Sequence, residues 1–291
     1  MKQAALIVLN YHDAGRTAAL VRRVSAYTVP ERIVVVDNAS ADDSFEVLSA
    51  LSERGHIDVI RTKENGGYAR GNNFGILHAL KNIDPDVLLI ANPDVSFDET
   101  AARALVQAIR LHPEYAVAAP LVRQGYNVWN LPAFPGILES LLLLSFNLDK
   151  KFIRKKILKA SGNIIPVGVV EGSFFALSAK AFREIHGFDT RTFLYAEEII
   201  LARRLAEKGY GECVLKNIRY DHLHSASIKK RYNSSKAKAF PHFRDSFRIY
   251  NRYYLHTSEL QNRIFDLVYC FGLAERKIFD AVHHVFPGKP L

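Results

Sequence analysis

The residues best suited to chemistry in this 291-residue sequence are polar groups that follow short apolar segments. One such group is Asp37-Asn38-Ala39-Ser40, directly after an apolar run. A carboxylate there can accept a hydrogen bond from the N3–H group of uracil or thymine, while amide and hydroxyl neighbours can bind a ribose. The same residues would also serve as an N-cap for a following helix, so the motif alone leaves both interpretations open.

A glycine-rich segment separates a predicted strand from a predicted helix, with the sequence Asn65-Gly66-Gly67-Tyr68-Ala69-Arg70-Gly71-Asn72-Asn73. Glycines let the backbone approach a ligand closely, and a helix N-terminus favours phosphate. The spacing matches neither a Walker loop nor the dinucleotide-binding fingerprint. A flexible loop before a helix is therefore the alternative interpretation.

Carboxylates also occupy two other positions that suit catalysis. Asn92-Pro93-Asp94 follows an apolar run, and its carboxylate suits Mg²⁺ or Mn²⁺ bridging a diphosphate, although a type I turn explains the motif too. Glu197-Glu198 begins a predicted helix. Adjacent carboxylates raise each other's proton affinity, which suits a general base near neutral pH, but a favourable helix dipole also explains the pair.

Two histidines, His222 and His224, follow a strand-like segment. In an extended backbone, side chains two residues apart point to the same face. Either histidine could complete a metal or diphosphate site. A structural role is the alternative for both.

An alternation of strand and helix patterns positions these groups. The predicted strands are residues 6–9, 33–36, 57–61 and 86–91, and the predicted helices between them are residues 17–27, 44–54 and 70–82. Such alternation is typical of a parallel α/β sheet with helices on both faces, where ligands bind at the carboxyl ends of the strands. The pattern loosens over residues 124–168, resumes as a strand at 167–177 and helices at 179–185 and 197–208, and becomes helical again from residue 243.

Composition excludes several classes of protein. Apolar residues make up 48% and charged residues 24%, which is ordinary for a globular domain and excludes disorder as the main state. The chain has only two cysteines, Cys213 and Cys270, which argues against a disulfide framework or a zinc ribbon and favours a reducing, cytoplasmic setting. We identify no signal peptide, and the apolar runs are too short to cross a bilayer.

The net charge of +9 favours an anionic partner, such as a nucleotide, a membrane surface or nucleic acid. Basic and aromatic residues interleave after Ser227. Nucleic-acid binding is disfavoured because no helix-turn-helix, RNP or zinc signature accompanies them. Three interpretations of this segment remain: contact with a membrane interface, packing against the core, and packing against a second subunit.

In their order along the chain, these motifs resemble glycosyltransferase family 2, the inverting GT-A enzymes, and most of all the rhamnosyltransferase-like members of polysaccharide assembly. The resemblance extends over roughly residues 4–227 and includes the further segments Glu171-Gly172-Ser173, Gly187-Phe188-Asp189 and Phe193-Leu194-Tyr195-Ala196. It implies a GT-A domain over residues 1–227, with a Rossmann-like, mostly parallel sheet flanked by helices. Residues 228–291 would form a basic, aromatic helical extension.

The resemblance also implies roles for single residues. Asp37 would read a pyrimidine base, and Asp94 would hold Mg²⁺ or Mn²⁺, with His222 preferred to His224 beside it. Glu198 would deprotonate the acceptor hydroxyl, with Glu197 next to it, in one inverting displacement. The other residues expected to bind the nucleotide sugar are Asn10, Asn38, Ser40, Asn65, Gly66, Gly67, Arg70, Asn73 and Asn92. Those expected on the acceptor side are Glu171, Gly172 and Tyr195.

The implied function is transfer of rhamnose, or of a hexose, from a dTDP- or UDP-sugar to a saccharide or lipid-linked acceptor in cell-surface polysaccharide assembly. The implied location is the cytoplasm, in peripheral contact with the inner face of the membrane, and a homodimer is compatible with it. Two departures from the family pattern, Glu198 for an Asp and Ile200 for a further Asp, motivate a second hypothesis, a weakly active or inactive scaffold. A nucleotidyltransferase is disfavoured, because Asn10-Tyr11-His12-Asp13 stands where those enzymes have a glycine-rich run.

Overall fold

The computed structural model of the protein describes residues 3–223 and 236–285. The apolar runs of the first hundred residues form strands where the sequence predicts them. They are β1 (Ala4–Asn10), β2 (Arg32–Asp37), β3 (Ile57–Arg61) and β4 (Val87–Ala91). The strands β1, β2 and β4 are buried along almost their whole length, as expected for parallel strands covered by helices on both faces.

The helices between these strands are α1 (Ala14–Val24), α2 (Ser44–Ser49), α3 (Gly67–Asn82) and α4 (Glu99–Leu111). The predicted helix at 44–54 is an α-helix for its first turns and a 3₁₀ helix over Ala50–Arg54. Gly55 ends it in the left-handed conformation that glycine adopts readily. Asp98 caps α4, because its side chain accepts a hydrogen bond of 2.8 Å from the backbone N–H of Ala101.

The chain after β4 adds seven strands. These are β5 (Val95–Ser96), β6 (Tyr115–Val122), β7 (Val128–Trp129), β8 (Ile164–Val167), β9 (Val169–Val170), β10 (Phe174–Ser178) and β11 (Gly211–His222). Within the described residues, nine strands form one sheet in the order β3-β2-β1-β4-β10-β6-β11-β5, with β8 also on β11. The sheet is parallel from β3 to β4 and mixed beyond, since β10 runs antiparallel to both β4 and β6.

The remaining helices are α5 (Phe134–Ser140), α6 (Leu143–Lys159), α7 (Ala179–Glu184), α8 (Glu197–Glu207), α9 (Lys236–Tyr254) and α10 (Glu259–Val285). The loose region at 124–168 therefore contains two helices as well as short strands. Along the parts of the chain that the structure describes, no helix is both long and apolar enough to span a bilayer.

Two apolar clusters cover the two faces of the sheet, and a third joins α5 and α8 to α9 and α10. Ile200 belongs to this third cluster and is 1% exposed, next to Ile199 and in the same cluster as Phe247 and Tyr250. A carboxylate in place of Ile200 would be buried among apolar side chains. This packing accounts for the departure from the family pattern at that position. The predicted boundary near residue 227 stays a prediction, and the regions on its two sides share this cluster.

Candidate functional site

Three polar residues lie side by side at the carboxyl ends of β1, β2 and β3. Asn10 pairs with Asp37, and Asp37 pairs with Arg61, in the strand register. The Asn10 amide donates to Asp37 Oδ1 at 2.9 Å, and Arg61 Nε lies 3.3 Å from Asp37 Oδ2. The backbone N–H of Ser40 donates to Asp37 Oδ2 at 3.1 Å. Asp37 is thus fully buried and held by three donors.

The glycine-rich segment is hydrogen-bonded to the residue after Asp37. The Asn38 amide donates to Asn65 Oδ1 at 2.9 Å, and Asn65 Oδ1 also accepts the Gly67 N–H at 3.0 Å. Gly66 is the residue that precedes α3, and Gly67 is its first residue, with a φ of +83°. A Cβ on Gly67 would lie 2.3 Å from the carbonyl oxygen of Phe193, so only glycine fits.

Two residues expected to bind the nucleotide make other contacts. The half-exposed Arg70 donates to Glu64 Oε1 at 2.9 Å. The Asn73 side-chain amide makes two hydrogen bonds with the backbone of Phe188. Its NH₂ group donates to the Phe188 carbonyl, and its oxygen accepts from the Phe188 N–H, each at 2.9 Å. These contacts show that Asn73 holds the turn at 187–189, and its role in binding the nucleotide sugar stays a prediction.

A second group forms where the chain passes from β4 into β5. The Asn92 N–H donates to the Ser173 carbonyl at 2.8 Å, which fixes the turn that contains Asp94. Strand β5 pairs with the end of β11, so that His222 comes next to Asp94. His222 Nε2 lies 3.4 Å from Asp94 Oδ1, and His222 Nδ1 lies 3.3 Å from Glu171 Oε1. The rival His224 lies outside the described residues.

Electrostatics make these three groups a charged triad. Burial lowers the pKa of His222, but the hydrogen bonds and charges of Asp94 and Glu171 outweigh burial and raise it to about 9. Burial alone would raise the pKa of Asp94. The hydrogen bond with His222 outweighs the effect of burial, so the pKa of Asp94 lies below its ordinary value. An anionic Asp94 and a cationic His222 therefore stabilise each other at neutral pH.

Asp94 and His222 fit a divalent cation that is shared with a ligand. Two octahedral ligands at about 2.1 Å from Mg²⁺ are about 3 Å apart, close to the 3.4 Å between Asp94 Oδ1 and His222 Nε2. Glu171 Oε2 is buried and makes no hydrogen bond. Among the side chains that the structure describes, no group of three His, Cys, Asp or Glu could hold a metal ion by itself. Phosphate oxygens of a ligand would have to supply the remaining positions.

A strained turn presents the two glutamates at the start of α8. Tyr195 and Ala196 have φ values of 73° and 65°, a region that residues other than glycine seldom adopt. Such strain concentrates at functional sites. Glu197 is buried, and burial together with the charge of Glu198 raises the pKa of Glu197 to about 8. Burial and the charge of Glu171 also raise the pKa of Glu198.

Gly172 holds the Glu198 carboxylate in place. Its N–H donates to Glu198 Oε1 at 3.2 Å, and its carbonyl accepts the hydroxyl of Tyr68 at 2.6 Å. A Cβ at this position would lie 2.9 Å from Glu198 Oε1 and 3.1 Å from the Tyr68 oxygen. Glycine therefore allows the carboxylate and the hydroxyl to approach the same residue.

Sequence reasoning missed three residues of this region: Arg61, Tyr68 and Glu212. Arg61 ends β3 just as Asp37 ends β2, so the strand-end argument could have found it. Tyr68 lies within the glycine-rich segment but was not singled out. Glu212 is a lone charge at the start of an apolar strand, where it is buried, accepts the Val170 N–H at 2.7 Å and has a pKa that burial raises to about 8.

Helix α9 packs against the strained turn. The Ser246 hydroxyl donates to the Leu194 carbonyl at 2.8 Å. The rings of Tyr195 and Phe243 are 5.9 Å apart, centroid to centroid. The C-terminal helices therefore support the loop on which the expected acceptor-side residue Tyr195 lies.

Known proteins share both the sequence pattern and the architecture. The family profile described as "Glycosyl transferase family 2" matches residues 6–185. The chain is 26% identical over 248 residues to the low-salt glycan biosynthesis hexosyltransferase Agl10 of Haloferax volcanii, covering 84% of this chain and 74% of that protein. It is 26% identical over 196 residues to the N-acetylglucosaminyl-diphospho-decaprenol L-rhamnosyltransferase of Mycobacterium tuberculosis, covering 62% of each chain.

Solved structures show the same fold at lower sequence identity. The mannosyltransferase PcManGT from Pyrobaculum calidifontis, in complex with GDP-Man and Mn²⁺, superposes with a TM-score of 0.61 at 15% identity over 99% of this chain and 76% of its own. GalNAc-T7 with UDP, GalNAc and Mn²⁺ superposes with a TM-score of 0.59 at 14% identity, over 76% of this chain and 44% of its own. The GT-A fold expected from the sequence is thereby confirmed.

Proposed function

The chain belongs to glycosyl transferase family 2, and from this premise we propose that it is an inverting, metal-dependent glycosyltransferase of glycan or polysaccharide assembly. One observation supports this most: the metal-compatible pair Asp94 and His222 contacts Glu171, and Gly172, the residue after Glu171, binds the candidate base. A leaving-group site and a base are thus joined by neighbouring residues of one backbone segment.

The donor would bind at the ends of β1, β2 and β3. Asp37 is held rigidly by Asn10, Ser40 and Arg61, and a carboxylate oxygen can accept more than one hydrogen bond. It can therefore also accept the N3–H group of a uracil or thymine ring. Asn38 and Asn65 would line the adjacent sugar and phosphates. The donor class we propose is a dTDP- or UDP-sugar.

Asp94 and His222 would hold Mg²⁺ or Mn²⁺ against the donor diphosphate, and His222 would have to release its proton to do so, because a metal binds the neutral imidazole. When bound, the cation neutralises the charge that develops on the departing diphosphate. The imidazole ligand favours Mn²⁺ over Mg²⁺, since imidazole suits transition metals better than it suits hard alkaline-earth ions. The Mn²⁺ in the complexes of PcManGT and GalNAc-T7 supports this assignment.

Glu198 would act as the base. Its carboxylate takes the proton of the acceptor hydroxyl while that oxygen forms a bond to C1 of the donor sugar. The bond from C1 to the diphosphate oxygen breaks in the same step, and the configuration at C1 inverts. The raised pKa of Glu198 matches this task, because a base is most effective when its pKa lies near the working pH. The Gly172 N–H fixes the longer glutamate side chain for it.

The names of the relatives support a choice of sugar and acceptor. The mycobacterial relative is named for rhamnose and a diphospho-decaprenol acceptor, and the archaeal relative for a hexose. We therefore propose rhamnose first and a hexose second, on a saccharide or lipid-linked acceptor. A lipid-linked acceptor would bring the protein into peripheral contact with the inner face of the membrane.

The test is calorimetric titration with dTDP, UDP, GDP and ADP, with and without Mn²⁺ or Mg²⁺. We expect metal-dependent binding of a pyrimidine diphosphate, which Asp94→Asn abolishes. Asp58→Asn is the matched control, because Asp58 is also a partly buried carboxylate in an ion pair, with Arg32 at 2.9 Å. Donor turnover and the anomeric configuration of the product, measured by NMR, then separate an inverting enzyme from a nucleotide-binding scaffold. Absence of nucleotide binding would contradict the proposed site.

A further inference from the structure

Helix α10 is apolar on two opposite sides. One side carries the buried Phe265 and Tyr269 and packs into the third apolar cluster. The other side is exposed. It carries Leu260 (68% exposed), Ile264 (38%), Leu267 (60%), Phe271 (63%) and Ile278 (66%), which together we call the α10 stripe. Such a row of large apolar side chains in water is unfavourable, and contiguous patches of this kind usually mark an interaction site.

The spacing of the α10 stripe indicates what covers it. Its residues follow one another at intervals of four, three, four and seven, and the exposed Ala274 divides the last interval into three and four. This is the heptad pattern of a helix that packs along another helix. At 100° per residue the stripe together with Ala274 is about 80° wide, which is narrower than the apolar face of an ordinary surface helix, at about 100° or more.

The charges beside the stripe argue against a membrane as its occupant. Glu259 is 81% exposed and pairs with Arg263 at 2.6 Å, and Asp266 pairs with Arg248 at 2.7 Å. A helix that lies on an anionic bilayer carries mainly Lys and Arg along its flanks. Here acidic and basic groups alternate on the same flank. Mixed charges of this kind are typical of helix pairs between proteins.

The exposed area suits a second copy of the same chain. At about 200 Å² for a large apolar residue, the exposed fractions of the α10 stripe amount to about 600 Å². Two stripes facing each other would remove about 1,200 Å² from water, the lower limit for a stable protein–protein interface. A two-fold axis brings identical patches together, so a single stripe suffices to build the interface.

We propose that the α10 stripe pairs with the same stripe of a second copy, forming a two-fold symmetric dimer through the C-terminal helices. This inference does not depend on the proposed glycosyl transfer. The interface lies on the side of α10 opposite the cluster that contacts α8 and α9, so dimerisation leaves the contacts between α9 and the strained turn intact.

The test compares the full chain with variants by sedimentation equilibrium. We expect the wild type to be a dimer and the double variant Leu267→Glu, Phe271→Glu to be a folded monomer, because burying unpaired carboxylates raises the dissociation constant by about 100-fold or more. The matched control is Leu111→Glu on α4, whose side chain is 73% exposed. It should remain a dimer. A monomeric wild type, or a dimer that survives the double substitution, would overturn the proposal.

Cys270 provides a second readout beside the stripe. It is exposed, whereas Cys213 is buried, so a bismaleimide cross-linker should join only Cys270 of the two copies. We expect covalent dimers from the wild type and none from Cys270→Ser or the double variant. Dimers that do not cross-link would place the interface elsewhere. Monomers that bind anionic phosphatidylglycerol vesicles only when the stripe is intact would identify it as a membrane surface, and either result would overturn the proposal.

Discussion

The hydroxyl of Tyr68 donates a hydrogen bond of 2.6 Å to the backbone carbonyl of Gly172. The Tyr68 N–H also contacts the Phe193 carbonyl, at 3.4 Å. One residue of the glycine-rich segment thereby connects the side expected to bind the nucleotide to both segments expected on the acceptor side. Because Gly172 in turn binds Glu198, the position of the base depends on the position of the glycine-rich segment.

We expect Tyr68→Phe to lower kcat about 10-fold with little change in the KM for the donor. The ring and its edge contact with Phe188 stay, while the hydrogen bond that fixes Gly172 is lost, and such a bond contributes about 1–1.5 kcal/mol. Steady-state kinetics measure the effect. Tyr27→Phe is the matched control, since Tyr27 donates the same kind of hydroxyl-to-carbonyl bond, 2.9 Å, to Phe97. Equal kinetics for both variants would contradict the coupling.

Replacing the base should separate the roles of the two glutamates. We expect Glu198→Gln to lower kcat by about 100-fold or more while nucleotide affinity is kept, because a glutamine cannot accept the acceptor proton. Glu197→Gln should have a smaller effect, since the Gly172 N–H binds Glu198. Single-turnover rates and calorimetry on the same preparations provide the two measurements. A larger loss in Glu197→Gln would assign the base to Glu197.

The pH dependence of kcat should report the buried Glu198 carboxylate. Burial and the charge of Glu198 raise the pKa of Glu197 to about 8, and burial and the charge of Glu171 raise the pKa of Glu198. A base works only when deprotonated, so kcat should be low in acid and rise through an apparent pKa above 4.5, the ordinary value for glutamate. Glu171→Gln removes the charge that acts on Glu198, so this rise of kcat should move to lower pH. A rise that stays in place would show that Glu171 does not affect the pKa of Glu198.

Glu212 should make the protein less stable as the pH rises. Burial raises its pKa in the folded state from 4.5 to about 8. The raised pKa of Glu212 stabilises the folded protein fully below pH 4.5. This stabilisation is lost as the pH rises towards about 8, because the Glu212 carboxyl ionises at a lower pH in the unfolded chain than in the folded protein. Glu212→Gln stays neutral, so its melting temperature relative to the wild type should increase over this range. The exposed Glu114→Gln is the control, and a constant difference for Glu212→Gln would contradict the assignment.

The local sequence was sufficient for the elements of roughly the first ninety residues and for most of the candidate residues. Apolar runs of four to six residues predicted β1 to β4, since a strand buried on both faces needs apolar side chains at consecutive positions. Asp37, Asp94 and Glu198 were recognisable because each stands at the end of a strand or the start of a helix. The order of these motifs also indicated the family, which the profile match over residues 6–185 confirms.

Which side chains meet was decided only in three dimensions. His222 reaches Asp94 because β5 and β11 pair antiparallel, although 128 positions in the chain separate the two residues. The Asn73 amide binds the backbone of Phe188, the Tyr68 hydroxyl binds Gly172, and the Glu212 carboxylate binds Val170, and the sequence indicated none of these three contacts. Periodicity along the chain reports burial and secondary structure. Hydrogen-bond partners and shifted pKa values depend on distances between remote segments, and only the tertiary structure determines those distances.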